Sequence, residues 1–181
     1  MFLTLRTVFR ITCLLSRQTR YNDNMDTLDD GFGHWLAGFI DGEGCFGIAQ
    51  RQGEKHNSSI YYFCFMSIKL RDDDRSIIEE IRCRTGIGSI YVNKARSNSK
   101  TGIQWLIINK SDCLSLVEIL DKYPLRAKKS KDYAIWREAV LLWVSQPLGH
   151  RWKGRLLDLK RWEQYFMALR ESHGYHPPDV K

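Results

Sequence analysis

The spacing of apolar residues changes along the chain, and each spacing predicts a type of secondary structure. In residues 34–42 the apolar residues fall on one helical face, which predicts a helix. Residues 45–52 and 59–71 alternate apolar with polar positions and are rich in aromatic and β-branched side chains. Such alternation predicts two strands of a hairpin. We therefore expect a helix followed by a hairpin.

The same order then repeats. Residues 73–86 predict an amphipathic helix that ends at Gly86, residues 87–96 and 102–109 predict a second pair of strands, and residues 113–123 predict a third helix. An order of helix, hairpin, helix, hairpin, helix predicts an α+β fold with a four-stranded antiparallel sheet. The helices would cover the apolar face of the sheet, and the other face would stay open.

Three segments are expected along the chain. Residues 1–24 form an N-terminal extension, residues 25–145 the main domain, and residues 146–181 a C-terminal helical extension. The first 22 residues have four arginines and no acidic residue, so this segment is either an organellar transit peptide, a disordered segment, or sequence ahead of a true start at Met25. In the last segment, residues 150–161 predict either a clamp on a nucleic-acid backbone or an amphipathic helix that caps the core.

The net charge of +7, from 28 Lys and Arg against 21 Asp and Glu, favours a polyanionic partner. Basic residues recur at the strand and strand-loop positions of the predicted open face, where they could contact phosphates and base edges, although an ordinary solvated face would also be polar. Five scattered cysteines without ligand spacing indicate free thiols in a reducing compartment, organellar or bacterial. The candidate DNA-binding residues of the sheet are Arg51, Lys55, Lys69, Arg71, Lys94, Arg96 and Lys100.

Two glycines in the first predicted helix require a reason. Gly38 and Gly42 lie four residues apart and therefore on one helical face, where small residues let another backbone approach. Interior glycines cost helix stability by about 1 kcal/mol each relative to alanine, so a compensating contact is expected. The alternative, that glycines simply end the helix, explains Gly42 and Gly44 but not Gly38.

The stretch LAGFIDGEG, residues 36–44, resembles the motif of the LAGLIDADG homing endonucleases. It matches the family's nonapeptide at six of nine positions, and the resemblance extends over about residues 33–144. It implies an αββαββα fold with a saddle-shaped sheet over DNA, followed here by extra C-terminal helices. The matching positions are Leu36, Ala37, Gly38, Ile40, Asp41 and Gly44.

Only one copy of the motif occurs in the sequence. By resemblance to single-motif members of the family, the functional unit is expected to be a homodimer on double-stranded DNA with a partly palindromic target. The motif helices would meet at the two-fold axis through Leu36, Gly38, Asp41 and Gly42. Asp41 is interpreted as structural, capping or bonding near this seam.

The resemblance also implies a metal site. Glu43 occupies the motif position whose acid binds a divalent ion, Mg²⁺ or Mn²⁺, and the main-chain carbonyl of Gly42 would be a second ligand. A catalytic lysine of the family matches Lys128, with Lys129 as the neighbouring candidate and a phosphate contact as the plainer role. Leu70 stands where some members carry a solvent-ordering glutamine, which leaves the solvent network in question.

These features predict a site-specific, metal-dependent double-strand DNA endonuclease. The alternative is a non-cleaving nucleic-acid-binding protein on the same fold, such as a maturase for intron RNA or a DNA-binding regulator. The acid at Glu43 favours cleavage, because a carboxylate placed against phosphates would cost a pure binder affinity.

Overall fold

A computed structural model describes residues 28–52, 60–94, 101–146 and 156–174. Its elements follow the expected order and form an α+β fold, which confirms that prediction. None of the helices in these ranges is long and apolar enough to cross a membrane. The elements are α1 (Asp30–Glu43), β1 (Gly44–Gln52), β2 (Ile60–Arg71), a 3₁₀ turn (Asp72–Asp74), α2 (Arg75–Thr85), β3 (Ser89–Asn93), β4 (Gly102–Ile107), α3 (Lys110–Lys122), α4 (Lys129–Ser145) and α5 (Leu156–Ser172).

The four strands form one sheet in the order β1-β2-β4-β3, with every neighbouring pair antiparallel. The register is set by pairs such as Gly44 with Ile68 and Leu70 with Ile103. Because side chains alternate between the two faces of a strand, the even-numbered residues of β1 and β2 share one face and the odd-numbered residues share the other.

The helices pack on the even-numbered face of β1 and β2 and form the core there. Phe46, Met66, Trp105 and Trp136 are among its largest fully buried side chains. The indole Nε1 of Trp105 donates a hydrogen bond of 3.0 Å to the main-chain oxygen of Ile87, so Trp105 buries no unpaired polar group. The opposite face is therefore the open face.

Local chemistry explains where the helices end. The Asp29 side chain accepts from the amides of Gly31 and Phe32 and so caps the start of α1. Gly86 ends α2 with a φ of 71°, a left-handed conformation that glycine adopts without a steric penalty. The prediction that α2 ends at Gly86 is thus confirmed.

Helix α5 belongs to the same core. Trp162 is 2% exposed, and its ring stacks on Tyr62 with the ring centroids 5.7 Å apart. The Ser172 hydroxyl donates a 2.6 Å hydrogen bond to the Asp132 carboxylate of α4. These contacts favour the core-capping role of this helix over the backbone clamp, while residues 150–155 and the N-terminal extension lie outside the described residues.

The thiols divide between the core and the surface. Cys64 and Cys113 are buried, and burial raises the pKa of both thiols, so they remain protonated. Cys45 and Cys83 are exposed instead.

Candidate nuclease site at the end of the motif helix

Helix α1 passes into strand β1 without a connecting residue, since Glu43 is the last helical residue and Gly44 the first residue of the strand. The amide of Gly44 donates to the main-chain oxygen of Ile40, and a Cβ atom at Gly44 would lie 2.6 Å from that oxygen. Only glycine fits there, so the junction fixes the position of Glu43. The Glu43 side chain is exposed at the edge of the sheet.

The carboxylate of Asp41 holds the segment that precedes α4. Its Oδ2 atom accepts hydrogen bonds from the backbone amides of Arg126, at 2.7 Å, and Ala127, at 2.9 Å. A carboxylate that accepts two backbone N–H groups makes strong, charge-assisted hydrogen bonds. Asp41 is therefore structural, as its sequence position indicated, but in this chain it bonds to a distant loop rather than to a helix seam.

Lys129 is the lysine that this loop brings to the end of α1. Its Nζ atom lies 3.0 Å from the main-chain oxygen of Asp41 and 2.5 Å from that of Gly42. The sequence match gave the catalytic position to Lys128, with Lys129 as the neighbouring candidate, and Lys129 is the one whose ammonium contacts the helix end. Lys128 is exposed and directly precedes α4.

The carboxylate and carbonyl oxygens at the end of α1 are ligands that suit a divalent cation. The helix dipole and two carbonyl oxygens already attract the Lys129 ammonium, which stands where a cation would bind. The described residues contain no group of three or more His, Cys, Asp or Glu side chains that could hold a metal by themselves. Mg²⁺ commonly binds through one or two carboxylates together with waters and substrate phosphates, so Glu43 and the Gly42 carbonyl fit such a shared site.

The open face carries several of the expected basic side chains. Arg51, Lys69 and Arg71 have odd numbers in β1 and β2 and are exposed on this face. Arg71 also forms a 2.7 Å ion pair with Asp73. Lys94 is exposed directly after β3. The remaining predicted positions, Lys55, Arg96 and Lys100, lie outside the described residues.

Leu70 faces the core and not the site. It pairs with Ile103 and packs against the hydrophobic cluster. On the open face, the register places Ser67 and Lys69 on either side of the end of α1, because Gly44 pairs with Ile68 between them.

Among the residues that the structure describes, nothing covers the outer face of α1. Gly38 and Gly42 are exposed, and a Cβ atom at either position would meet no described atom within 4 Å. Trp35 is 42% exposed and stacks on Phe39 with the ring centroids 5.2 Å apart, a feature that the sequence reasoning missed. Leu36 was wrongly predicted for this face, since it is 0% exposed in the core of its own chain.

Several known proteins resemble this chain. "Uncharacterized 50.9 kDa protein in ND4 intron 1" of Podospora anserina is 28% identical over 131 residues, which cover 71% of this chain and 27% of that protein. "Probable intron-encoded endonuclease Cox1-I1b" of Schizosaccharomyces pombe is 30% identical over 111 residues, covering 61% of this chain. The chain thus spans 27% of the length of each of these relatives.

Solved structures share the fold. The archaeal intron-encoded homing endonuclease I-Vdi141I complexed with DNA has a TM-score of 0.67 at 23% identity, with 83% of this chain and 90% of that chain covered. I-SmaMI bound to uncleaved DNA in the presence of calcium has a TM-score of 0.64 at 18% identity, with 77% of this chain and 45% of that chain covered. A family model described as LAGLIDADG endonuclease matches residues 36–140 of this chain. Motif, fold and family model agree, and the chain belongs to the LAGLIDADG homing endonuclease family.

Proposed function

We propose that the protein is a site-specific double-strand DNA endonuclease that acts as a homodimer with Mg²⁺ or Mn²⁺. One observation carries the proposal: the motif helix ends in an exposed carboxylate, Glu43, and a cation-binding carbonyl, Gly42, at the edge of a basic open sheet. Oxygen donors beside a phosphate-binding surface are the arrangement that metal-dependent phosphodiester hydrolysis requires.

Each residue at the helix end has a distinct role in this proposal. Glu43 and the Gly42 carbonyl would hold the metal, which supplies positive charge against the scissile phosphate and makes nearby water more acidic. Lys129 lies at the same carbonyl and would add positive charge where the phosphate oxygens gain negative charge during the reaction. Asp41 would act as a positioning residue, because it anchors the loop that carries Lys129.

The open sheet supplies DNA affinity. The exposed cations Arg51, Lys69 and Arg71 line β1 and β2, and exposed Lys94 follows β3. Such side chains would contact phosphates and base edges and would make binding fall steeply with salt. The structural relatives described as bound to DNA support this partner.

The outer face of α1 supports the homodimer. Two exposed glycines with open space above them allow close approach of a second backbone, and exposed Trp35 provides an apolar anchor beside them. Pairing would bring two Glu43 carboxylates to the centre of one target, one for each DNA strand.

A second function has a specific observation in its favour. Lys129 bonds to the same carbonyl that the metal would need. This contact suits a protein that binds nucleic acid without cutting it, such as a maturase for intron RNA or a DNA-binding regulator.

The decisive experiment uses a randomised library of duplex targets, with wild type and Glu43→Gln each tested in Mg²⁺ and in Ca²⁺. We expect cut ends clustered on a partly palindromic site for the wild type in Mg²⁺ alone. Glu43→Gln should bind the same site without cutting it. Glu118→Gln is the matched control, because Glu118 is an exposed glutamate on α3, and this variant should cut like the wild type. Binding without cutting by the wild type would support the alternative function.

A further inference from the structure

The open face of the sheet is not uniformly polar. Along β2 its residues change from aromatic, with Phe63 and Phe65, to basic, with Lys69 and Arg71. Across from the two phenylalanines, β1 contributes Ala49 opposite Phe63 and Gly47 opposite Phe65. These four residues, Gly47, Ala49, Phe63 and Phe65, form a block that we name the apolar strip.

The strip lies on the opposite side of the sheet from the core. Phe63 and Phe65 are odd-numbered residues of β2, whereas the core residues Cys64 and Met66 are even-numbered. Both phenylalanine side chains are half-buried, so each keeps part of its ring at the surface. A partly exposed apolar block between basic residues indicates a binding surface.

The ring of Phe65 is held down on the sheet. An ideal Cβ atom at Gly47 would lie 2.1 Å from the ring carbon Cζ of Phe65, so the ring occupies the space that any other residue at position 47 would fill. Gly47, which has no side chain, thus lies beneath the large flat ring of Phe65. The result is a low apolar surface rather than a protruding side chain.

The charges around the strip identify its partner as a nucleic acid. Arg51 lies at one end, with its guanidinium carbon 5.6 Å from the centroid of the Phe63 ring. Lys69 and Arg71 lie beyond the other end on the same face. A strip flanked by cations at both ends suits a ligand with a phosphate backbone on its rims and apolar groups between them.

A DNA duplex offers one apolar group in its major groove, the C5-methyl group of thymine, and phenylalanine and alanine are side chains that contact it. We propose that the apolar strip recognises thymine methyl groups, so that each half-site carries a thymine-containing segment beneath β1 and β2. This inference rests on the proposed DNA-binding function and adds a base preference to it.

The position of this segment also follows from the strands. The strip begins three residues beyond Gly44 and ends at Ala49, five residues beyond it. At about 3.4 Å per residue along a strand, and a similar rise per base pair, the methyl contacts fall roughly three to five base pairs outward from the end of α1.

Stacking on unpaired bases is the competing use of aromatic rings on a sheet. It needs a ring face open to solvent, whereas Phe63 carries a guanidinium over its ring and Phe65 lies against Gly47. Contact with a methyl group needs less exposed area, which favours the duplex.

The test replaces each thymine of the selected duplex by deoxyuridine, which removes only the methyl group, and measures the dissociation constant in Ca²⁺. We expect roughly fourfold weaker binding for each methyl group over the strip, in line with the burial of one carbon. In Phe63→Ser and Phe65→Ser, which remove the ring and add no methyl group, the deoxyuridine penalty should disappear. Gly47→Ala should reduce it as well, because the new Cβ displaces the Phe65 ring.

The outcomes separate this inference from the proposed function. Specific binding with no deoxyuridine penalty at any thymine overturns the proposal that the apolar strip recognises thymine methyl groups. It leaves the endonuclease proposal intact. Failure to bind any duplex specifically overturns both. Tighter binding to the single strand of the same sequence, weakened by Phe63→Ser, overturns the methyl contact in favour of base stacking. Thermal unfolding of each variant confirms that a lost penalty does not come from a lost fold.

Discussion

The ammonium of Lys129 lies 2.5 Å from the main-chain oxygen of Gly42, at the carboxyl end of the motif helix. Helix ends of this kind carry negative partial charge on carbonyl oxygens that no helical amide satisfies. A cation bound to the helix end must therefore share this carbonyl with Lys129 or displace it. The contact links the candidate site to a loop more than eighty residues further along the chain.

Substitution of the two adjacent lysines separates their roles. Lys129→Met removes the charge at the Gly42 carbonyl, and we expect single-turnover cleavage at saturating DNA to fall by roughly 10²-fold or more. Lys128→Met is the matched control, because Lys128 is exposed and next in sequence. Its rate should stay within about fivefold of the wild type, the scale of an exposed charge. A larger loss in Lys128→Met than in Lys129→Met would restore the assignment made from sequence.

Asp41 should matter for stability as well as for cleavage. Asp41→Ala leaves the amides of Arg126 and Ala127 without their acceptor, which should lower the free energy of unfolding by roughly 1–3 kcal/mol. Urea unfolding measures this loss, and hydrogen exchange should speed up at these two amides. Asp41→Asn keeps one oxygen acceptor and should lose less. Unchanged exchange in Asp41→Ala would contradict the anchoring role.

The glycines of α1 give opposite predictions. Gly38→Ala meets open space, so the free energy of unfolding of the single chain should rise by up to about 1 kcal/mol. The same methyl group would obstruct the proposed helix pairing and should raise the dimer dissociation constant by roughly tenfold. Gly33→Ala should instead destabilise the chain by about 2 kcal/mol, because its Cβ would lie 2.3 Å from the Tyr123 ring.

Sedimentation across a range of protein concentrations measures the dimer constant, and urea unfolding at low concentration measures the single chain. If the dimer dissociation constant of Gly38→Ala equals that of the wild type, this face of α1 is not part of the dimer interface.

Acid should weaken a link between α3 and α4. Hydrogen bonds from the Arg137 guanidinium hold the pKa of the Asp121 carboxyl below its usual value. A carboxyl with a lowered pKa in the folded state stabilises the protein above its unfolded pKa, and this contribution is lost as the pH falls through the folded value. Asp121→Asn should thus cost roughly 1 kcal/mol at neutral pH, a small figure because the Asp121 side chain is 41% exposed and screened by solvent.

The difference between wild type and Asp121→Asn should shrink as the pH is lowered below about 4. Urea unfolding at several pH values checks this slope. Glu138→Gln is the control, since Glu138 contacts the same arginine at 3.0 Å from an exposed position and should change the stability little at any pH. A difference that grows in acid would contradict the assigned pKa shift.

The sequence predicted the parts of this fold that depend on neighbours along the chain. The alternation in β2 placed Lys69 on the open face, and Gly86 marked the end of α2 correctly. Both signals are local, since strand alternation and a left-handed helix end are set within a few residues. The start of α3 was predicted late, because the Asn109 side chain caps the helix by accepting from the amide of Asp112.

The features that the sequence could not decide depend on contacts between distant segments. Lys128 and Lys129 differ by one position, and only the loop held by Asp41 decides which of them reaches the helix end. Leu36 and Trp35 are likewise adjacent, and packing against the core decides which one stays exposed. No local sequence pattern contains this information, because it depends on the tertiary contacts between segments that are far apart in the chain.

The direct passage from α1 into β1 at Gly44 has a consequence for how such a protein could change its target during evolution. In the proposed dimer, the distance between the two Glu43 carboxylates would be set by the helix ends themselves, with no loop to lengthen or shorten it. Substitutions on the sheet could then alter the recognised bases one at a time, while the offset between the two strand breaks would stay constant. New targets would be recognised without any change in the length of the single-stranded ends that cleavage leaves.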